Sequence, residues 1–241
     1  SQFEITFAIA LLWFLEQHCD LVVLETGIGG LLDATNVVKK PLVCAITSVS
    51  FDHMALLGNT LTEIAAQKAG IIKQGCPVVL STDNPMDVVC LVQETAKQKN
   101  AQLVIPNMQD CRILSETLEE TVFQYHSFTY TLHMPASPVY NAMTAIEVIR
   151  FLGMHGYLIT AAVANDAFSK VRVPARTELL RKDPMVRWTA VTTRQALWRW
   201  QICCALLDRN HSRHLRHDLH QGLSHCLSDT GWCAGYGHLC G

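Results

Sequence analysis

Near its start the 241-residue sequence has no apolar run longer than the nine residues 7–15 (FAIALLWFL). That is far short of the roughly 20 residues a bilayer-spanning helix needs, and no basic residue precedes it as in a secretory signal. Cysteine pairs at Cys-x-x-Cys spacing are absent, although the chain holds ten cysteines. Scattered cysteines in a chain that is 49% apolar point to a reducing, cytoplasmic setting rather than to disulfide staples. Excess charge is lacking too: the formal net charge is −2, which offers nucleic acid no electrostatic footprint. A phosphate-cradling Gly-x-x-x-x-Gly-Lys-Ser/Thr segment occurs nowhere. What remains is a chain with 17% charged residues, long enough for one large domain or two small ones and too apolar for bulk disorder.

A further absence is local. The last 55 residues, 187–241, contain no Lys, no Glu and no Phe, and only two β-branched aliphatics, Val191 and Ile202. They carry five of the ten Cys, six of the eleven His and four of the five Trp. Their net charge is +3 against −5 for residues 1–186. Folded cytosolic domains rarely lose Lys and Glu together, so two units are expected: residues 1–186, and a tail of 187–241 too poor in core-forming side chains to pack well.

Within residues 1–186 the pattern alternates. Residues 3–17 are apolar on most sides and predict a buried helix. Residues 20–25 (DLVVLE) read as a central strand, and residues 42–48, 77–81 and 102–105 as further strands. Thr60 and Glu63, three apart, form a capping box opening a helix that Gly70 stops. Residues 86–99, 140–153 and 159–170 predict helices, and the alternation in residues 121–134 predicts an antiparallel hairpin or edge. The fold class is therefore α/β: a mostly parallel sheet flanked by helices, with a small antiparallel appendage.

Three motifs can carry chemistry. Glu25-Thr-Gly-Ile-Gly-Gly30 ends a strand, where α/β sheets bind ligands and glycines let a backbone approach closely; alone, it also suits a plain tight turn or a methyltransferase first motif. Asp52-His53 follows the second strand, where an imidazole can meet metal or phosphate or be merely structural. Lys68 stands five residues past Glu63 on the capped helix, where most lysines are simply solvated.

Taken together, LETGIGGLLDATNVV and AITSVSFDHMALLGNTLTEIAAQKAGIIK resemble the folylpolyglutamate synthase and dihydrofolate synthase family of the Mur ligase superfamily. The resemblance runs from the Phe3-Glu4 helix to Arg176. It implies the later part of a P-loop-type central ATPase domain over residues 1–186, with the P-loop itself absent. It also implies an ATP-dependent amide ligase, in which ATP phosphorylates a substrate carboxylate and an amine attacks the acyl phosphate. The implied substrates are folate or dihydropteroate, L-glutamate and ATP, with Mg2+ answering the charge on the transferring phosphoryl group. The implied assembly is a cytoplasmic monomer with no nucleic-acid or membrane partner. By motif match Glu25 and His53 are magnesium ligands, with His53 and Lys68 in catalytic roles. Lys68 matches a lysine that the family carbamylates, which turns a cation into an anion able to organise magnesium. Asn141, in Tyr-Asn-Ala-Met-Thr, matches an adenine-side asparagine, and Arg176, in Pro-Ala-Arg-Thr-Glu, an arginine that reaches the ATP phosphates. Two features depart from the pattern: Pro138-Val139-Tyr140 replaces the usual His-Gln before that asparagine, and Leu31 stands at an often polar position.

The family continues past Pro-Ala-Arg into a strand and then Asp-Gly-Ala-His-Asn-Pro. Here Arg187-Trp-Thr-Ala-Val-Thr-Thr-Arg stands instead. Reading each codon's last base with the next two permits Val-Asp-Gly-Gly-His-Asn-Pro-Ala-Gly-Ala across this stretch, so one lost base near Arg187 restores the motif. Residues 187–241 then read as an out-of-frame tail. The rival is a zinc tail using Cys203, Cys204, His211 and neighbouring His and Cys, but their spacing frames no tetrahedral site. For the chain as a whole the alternatives are another Mur-superfamily ligase, such as one acting on peptidoglycan precursors, and a catalytically dead remnant of the ATPase domain.

Overall fold

The computed structural model describes residues 1–117, 119–133 and 139–171, and the backbone of 178–181, 186–188 and 204–208. Helix α1 (Gln2–Glu16) leads into strand β1 (Leu21–Glu25), followed by β2 (Cys44–Ile46), α2 (Met54–Leu57), α3 (Leu61–Ala69), β3 (Val78–Leu80), α4 (Met86–Gln98) and β4 (Leu103–Val104). Strands β5 (Cys111–Glu116), β6 (Thr121–Tyr125) and β7 (Phe128–Leu132) come next, then α5 (Val139–Met154) and α6 (Ala161–Lys170). Strands β8 (Glu178–Arg181), β9 (Val186–Trp188) and β10 (Cys204–Asp208) close the order.

Strands β2, β3 and β4 pair in parallel. Because successive residues of a strand face opposite sides, β3 feeds two cores. Val78 and Leu80 pack with Ile64 and Ala65 of α3 and Val88 and Val92 of α4. Val79 between them faces Phe151 and Leu152 of α5. All three residues of β3 are fully buried, which explains why the strand reads as a continuous apolar run. Strands β5, β6 and β7 form a separate antiparallel sheet. Phe123, Tyr125 and Tyr130 from it pack against Met143 and Ile146 of α5 and Ala164 of α6.

The α/β class and the appendage match the expectation, but two placements differ. The helix α1 is not buried: Leu11 is its one buried residue, and Ile5, Ile9, Leu12 and Trp13 are exposed. Its Phe7 and Phe14 cover Leu24 and Val38, and among the described residues nothing covers the opposite face. Strand β1 is not central but stands at the edge of the sheet order β1-β10-β2-β3-β4. Its Val23 is exposed, since a strand lined on one face leaves alternate residues open.

Of the expected tail 187–241, the described part is Arg187 and Trp188 at the end of β9 and the strand β10. β10 pairs antiparallel with both β1 and β2. The rest of that stretch lies outside the described residues, as do the zinc donors Cys203 and His211.

Candidate active site

Glu25 is the last residue of β1, and its side chain is exposed. The loop behind it is held by Asp33. Its Oδ2 accepts from the backbone N–H of Gly27 (2.9 Å) and Ile28 (3.0 Å). Its Oδ1 accepts from the Thr35 backbone N–H (2.9 Å) and hydroxyl (2.6 Å). One carboxylate thus satisfies four donors in a turn that has no ladder partners for them.

The glycines explain where the loop goes. Gly29 has a φ of +72°, and a Cβ there would stand 2.7 Å from Leu57 of α2. A Cβ on Gly30 would stand 2.9 Å from the Gln67 carbonyl oxygen and 3.0 Å from that of Lys68. Only residues without a Cβ let the loop seat this closely on the two helices. The Leu31 N–H donates to the Gln67 carbonyl at 2.7 Å. Asn36 Nδ2 bridges the carbonyls of Leu31 (2.9 Å) and Gly70 (3.2 Å). Lys73 Nζ donates to the Asn36 carbonyl at 3.1 Å, and burial pushes the Lys73 ammonium below its usual range.

Lys68 lies on α3, buried with 5% of its surface exposed. The capping box is present as expected. Thr60 Oγ1 accepts from the Glu63 N–H, and the Glu63 carboxylate accepts from Thr60 and Asn59. Those backbone donors, Asn59 first, hold the Glu63 carboxyl below the usual carboxylate range.

His53 is the N-cap of α2, in the left-handed region at φ +49°, with a half-exposed ring 3.9 Å from the Asp52 carboxylate. The residues before it are clamped to the end of β3. Asn84 Oδ1 accepts from the Val49 N–H at 2.8 Å, and its Nδ2 donates to the carbonyls of Ser81 (2.8 Å) and Thr47 (3.3 Å). Asp83 accepts from the hydroxyls of Ser81 (2.6 Å) and Ser48.

Three of the sequence-derived residues therefore lie on elements that touch. The Glu25 loop rests on α3 beside Lys68 and on α2, whose first turn starts at His53. Asn141 is elsewhere along the chain's packing, in the first turn of α5, whose Val139 and Ala142 face the appendage core. Arg176 lies outside the described residues. Sequence reading missed Asp33 and Asn84 as organisers of the site. Their signal was an Asp or Asn straight after a glycine turn or a strand, which is also the signal of an ordinary solvent-facing turn.

The donor chemistry at the strand edge is mixed. Glu25 offers the hard oxygen a magnesium ion takes, and His53 a nitrogen better suited to softer ions. Lys68 as an ammonium offers no lone pair. Among the described residues no three His, Cys, Asp or Glu side chains are gathered to hold a metal. An oxygen-rich magnesium site here would thus need donors beyond Glu25 and His53.

Residues 2–149 match the family model of the Mur ligase middle domain. The chain is 54% identical over 197 residues to the dihydrofolate synthase/folylpolyglutamate synthase of Bacillus subtilis, covering 77% of this chain and 45% of that protein. A crystal structure of folylpolyglutamate synthase from Thermotoga maritima aligns with a TM-score of 0.66 at 29% identity, covering 79% of this chain and 44% of that one. The Mycobacterium tuberculosis folylpolyglutamate synthase, complexed with ADP and AMPPCP, aligns with a TM-score of 0.65 at 25% identity, covering 79% and 45%. The chain spans about half the length of these relatives or less. Residues 2–149 are more than half of the chain, so the chain belongs to the Mur ligase family.

Proposed function

We propose that the protein of which this chain is part is an ATP-dependent amide ligase that adds glutamate to folates, and to dihydropteroate if bifunctional. The observation that carries the reading is the identity of 54% with a relative of that name, joined to the packing of Gly30 and Leu31 on Gln67 and Lys68. That packing brings the Glu25 loop and the lysine helix to one strand edge, where α/β sheets take ligands.

When bound there, Mg2+ supplies charge neutralisation on the transferring phosphoryl group. Glu25 and His53 are its proposed protein ligands. Lys68 is the proposed carbamylation site: its neutral amine nitrogen bonds to the carbon of CO2 and releases a proton, leaving an anionic carbamate. Asn141 is assigned to the adenine side of ATP and Arg176 to its phosphates. Asp33 and Asn84 position Glu25 and His53 through the backbone. We place the enzyme in the cytoplasm as a monomer with small-molecule substrates and no nucleic-acid or membrane partner. Among the described residues no helix is long and apolar enough to cross a membrane.

The test is glutamate-dependent ADP release with a folate or dihydropteroate substrate. A longer gene product carrying the phosphate-binding loop is expected to turn over, and Glu25→Ala or Lys68→Ala to lower its kcat by about a hundredfold or more. The 241-residue chain is expected to show none, because nothing in its sequence cradles the β- and γ-phosphates. Turnover unaffected by Lys68→Ala refutes the assigned roles. A chain that binds neither ATP nor Mg2+ by calorimetry fits the dead-remnant reading.

Residues 187–241 we assign to an out-of-frame reading. The strand β10 is the one antiparallel member of its sheet among the described residues. An apolar segment such as CALLD can satisfy the unpaired backbone groups of β1 and β2 whatever its origin. Resequencing the coding DNA across Arg187 tests this, and an intact single frame in independent clones ends it.

A further inference from the structure

The appendage holds a cavity of about 350 Å³, at the lower end of the sizes that hold small molecules. It lies away from the glycine turn. Its walls are apolar, with Phe128 and Tyr130 of β7 on one side and Ile149 and Ile159 on the other. Two polar side chains share the lining, His126 and Arg150. Both are held from below by Glu147, which is 3% exposed. Arg150 Nη1 donates to both Glu147 oxygens (2.8 and 3.0 Å), and His126 Nε2 lies 3.1 Å from Oε1. The Tyr125 hydroxyl donates to the same oxygen at 2.8 Å.

This arrangement is more than a surface ion pair. Glu147 engages only one of the three guanidinium nitrogens, Nη1. Among the described residues no acceptor takes the Nη2 and Nε donors, and the Arg150 side chain is 61% exposed. The guanidinium is thus fixed at one corner with its remaining donors open beside an apolar cavity. His126 is also costly to the fold. It sits in the two-residue turn between β6 and β7 at φ +52°, where Asn or Gly is easier. Its side chain is what the turn gains in return.

We propose that this cavity binds a small planar aromatic carboxylate, its ring between Phe128 and Ile149 and its carboxylate on Arg150 beside His126. Phe128 is 55% exposed, and such a ring would cover it. A carboxylate matches the planar donor fork of arginine.

The probe is 2-naphthoate, titrated against the full 241-residue chain by saturation-transfer NMR, with uncharged 2-naphthamide as its matched control. The acid is expected to saturate with a Kd below about 1 mM, and the amide to bind about tenfold more weakly or worse. Arg150→Gln is expected to erase the preference for the acid. Ala161→Phe, at the start of α6 on the cavity lining, is expected to abolish binding of both compounds. It needs no change in the Glu147 network, so it still tests the pocket if Arg150→Gln does not fold. Equal binding of acid and amide overturns the carboxylate assignment. Saturation unchanged in folded Ala161→Phe, or no saturation by about 10 mM in the unaltered chain, overturns the site.

Discussion

In the parallel layer the organising polar side chains sit in loops at the strand ends. Asp33 gathers four donors of the glycine turn, and Asn84 ties residues 47–49 to the end of β3. The core beneath them, from Cys44 to Ala96, is aliphatic with small residues. In the appendage the organising group is a carboxylate inside the core. Glu147 lies on the buried face of α5 with Met143 and Ile146, among Phe123, Tyr125 and Tyr130. The first arrangement leaves the core indifferent to the loops, which are then available for ligand binding. The second makes the packing of hairpin on helix depend on one charge.

Removing that charge is the sharpest way to break the contrast. Glu147→Ala leaves the Tyr125 hydroxyl buried without its acceptor, while Arg150, mostly exposed, turns to water. Discounting the exposed cation, the loss is about 2–3 kcal/mol of global stability by urea unfolding. Asn84→Ala should cost less, about 2 kcal/mol, since it orphans one buried backbone donor, the Val49 N–H. Its larger effect should fall on the geometry of the candidate site, read as faster hydrogen exchange at residues 47–53 with the appendage amides unchanged. Equal loss of protection in both regions would show that the two are a single cooperative unit.

Acid offers a third probe. Burial opposes ionisation of Glu147, but donors from His126, Tyr125 and Arg150 outweigh it and hold the carboxyl below its usual value. The unfolded chain therefore takes up this proton first as pH falls. The stabilisation is fully present above about pH 4.5, the ordinary range for Glu, and is lost as pH drops through the lowered folded value. Glu147→Gln should flatten that part of the pH–stability curve, and an unchanged acid limb would remove Glu147 as its source. Burial first, then Glu147, also pushes the Tyr125 phenol far up, so this hydroxyl stays a donor throughout.

How much of this was legible depends on where each signal resides. Strand β3 and the cap of α3 are written locally, in an unbroken apolar run and in a Thr–Glu pair three apart, and both appear as read. Helix α2 has four residues and a left-handed N-cap at His53, so no periodicity could announce it. Strand β5 was missed because it is exposed along nearly its whole length and shows no alternation. The edge position of β1 was misread because an apolar run looks the same wherever its sheet places it. Glu147 and Arg150, three apart on a helix, look like a surface pair; only tertiary packing shows the carboxylate to be interior. Glu25, His53 and Lys68 came from the joint pattern of motifs, and no single spacing would have found them.

The smallest expected effect separates the regions at their helix starts. Thr60 opens α3 with a full capping box, whereas Thr160 opens α6 with its side chain on the Val163 N–H alone, at 3.3 Å. Position N3 of α6 is Val163, which has no group to return a bond to the cap residue. Thr60→Ala should therefore cost about 1 kcal/mol and Thr160→Ala about half that. The reciprocal Glu63 bonds to Asn59 and Thr60 can persist in the first variant, which keeps its loss near the ordinary value for a cap. If Thr160→Ala proves the more costly, the α6 start is supporting the Tyr130 side of the appendage core, through the Tyr130–Phe168 ring contact, and helix α6 is then as much a part of that core's dependence on local polar bonds as Glu147.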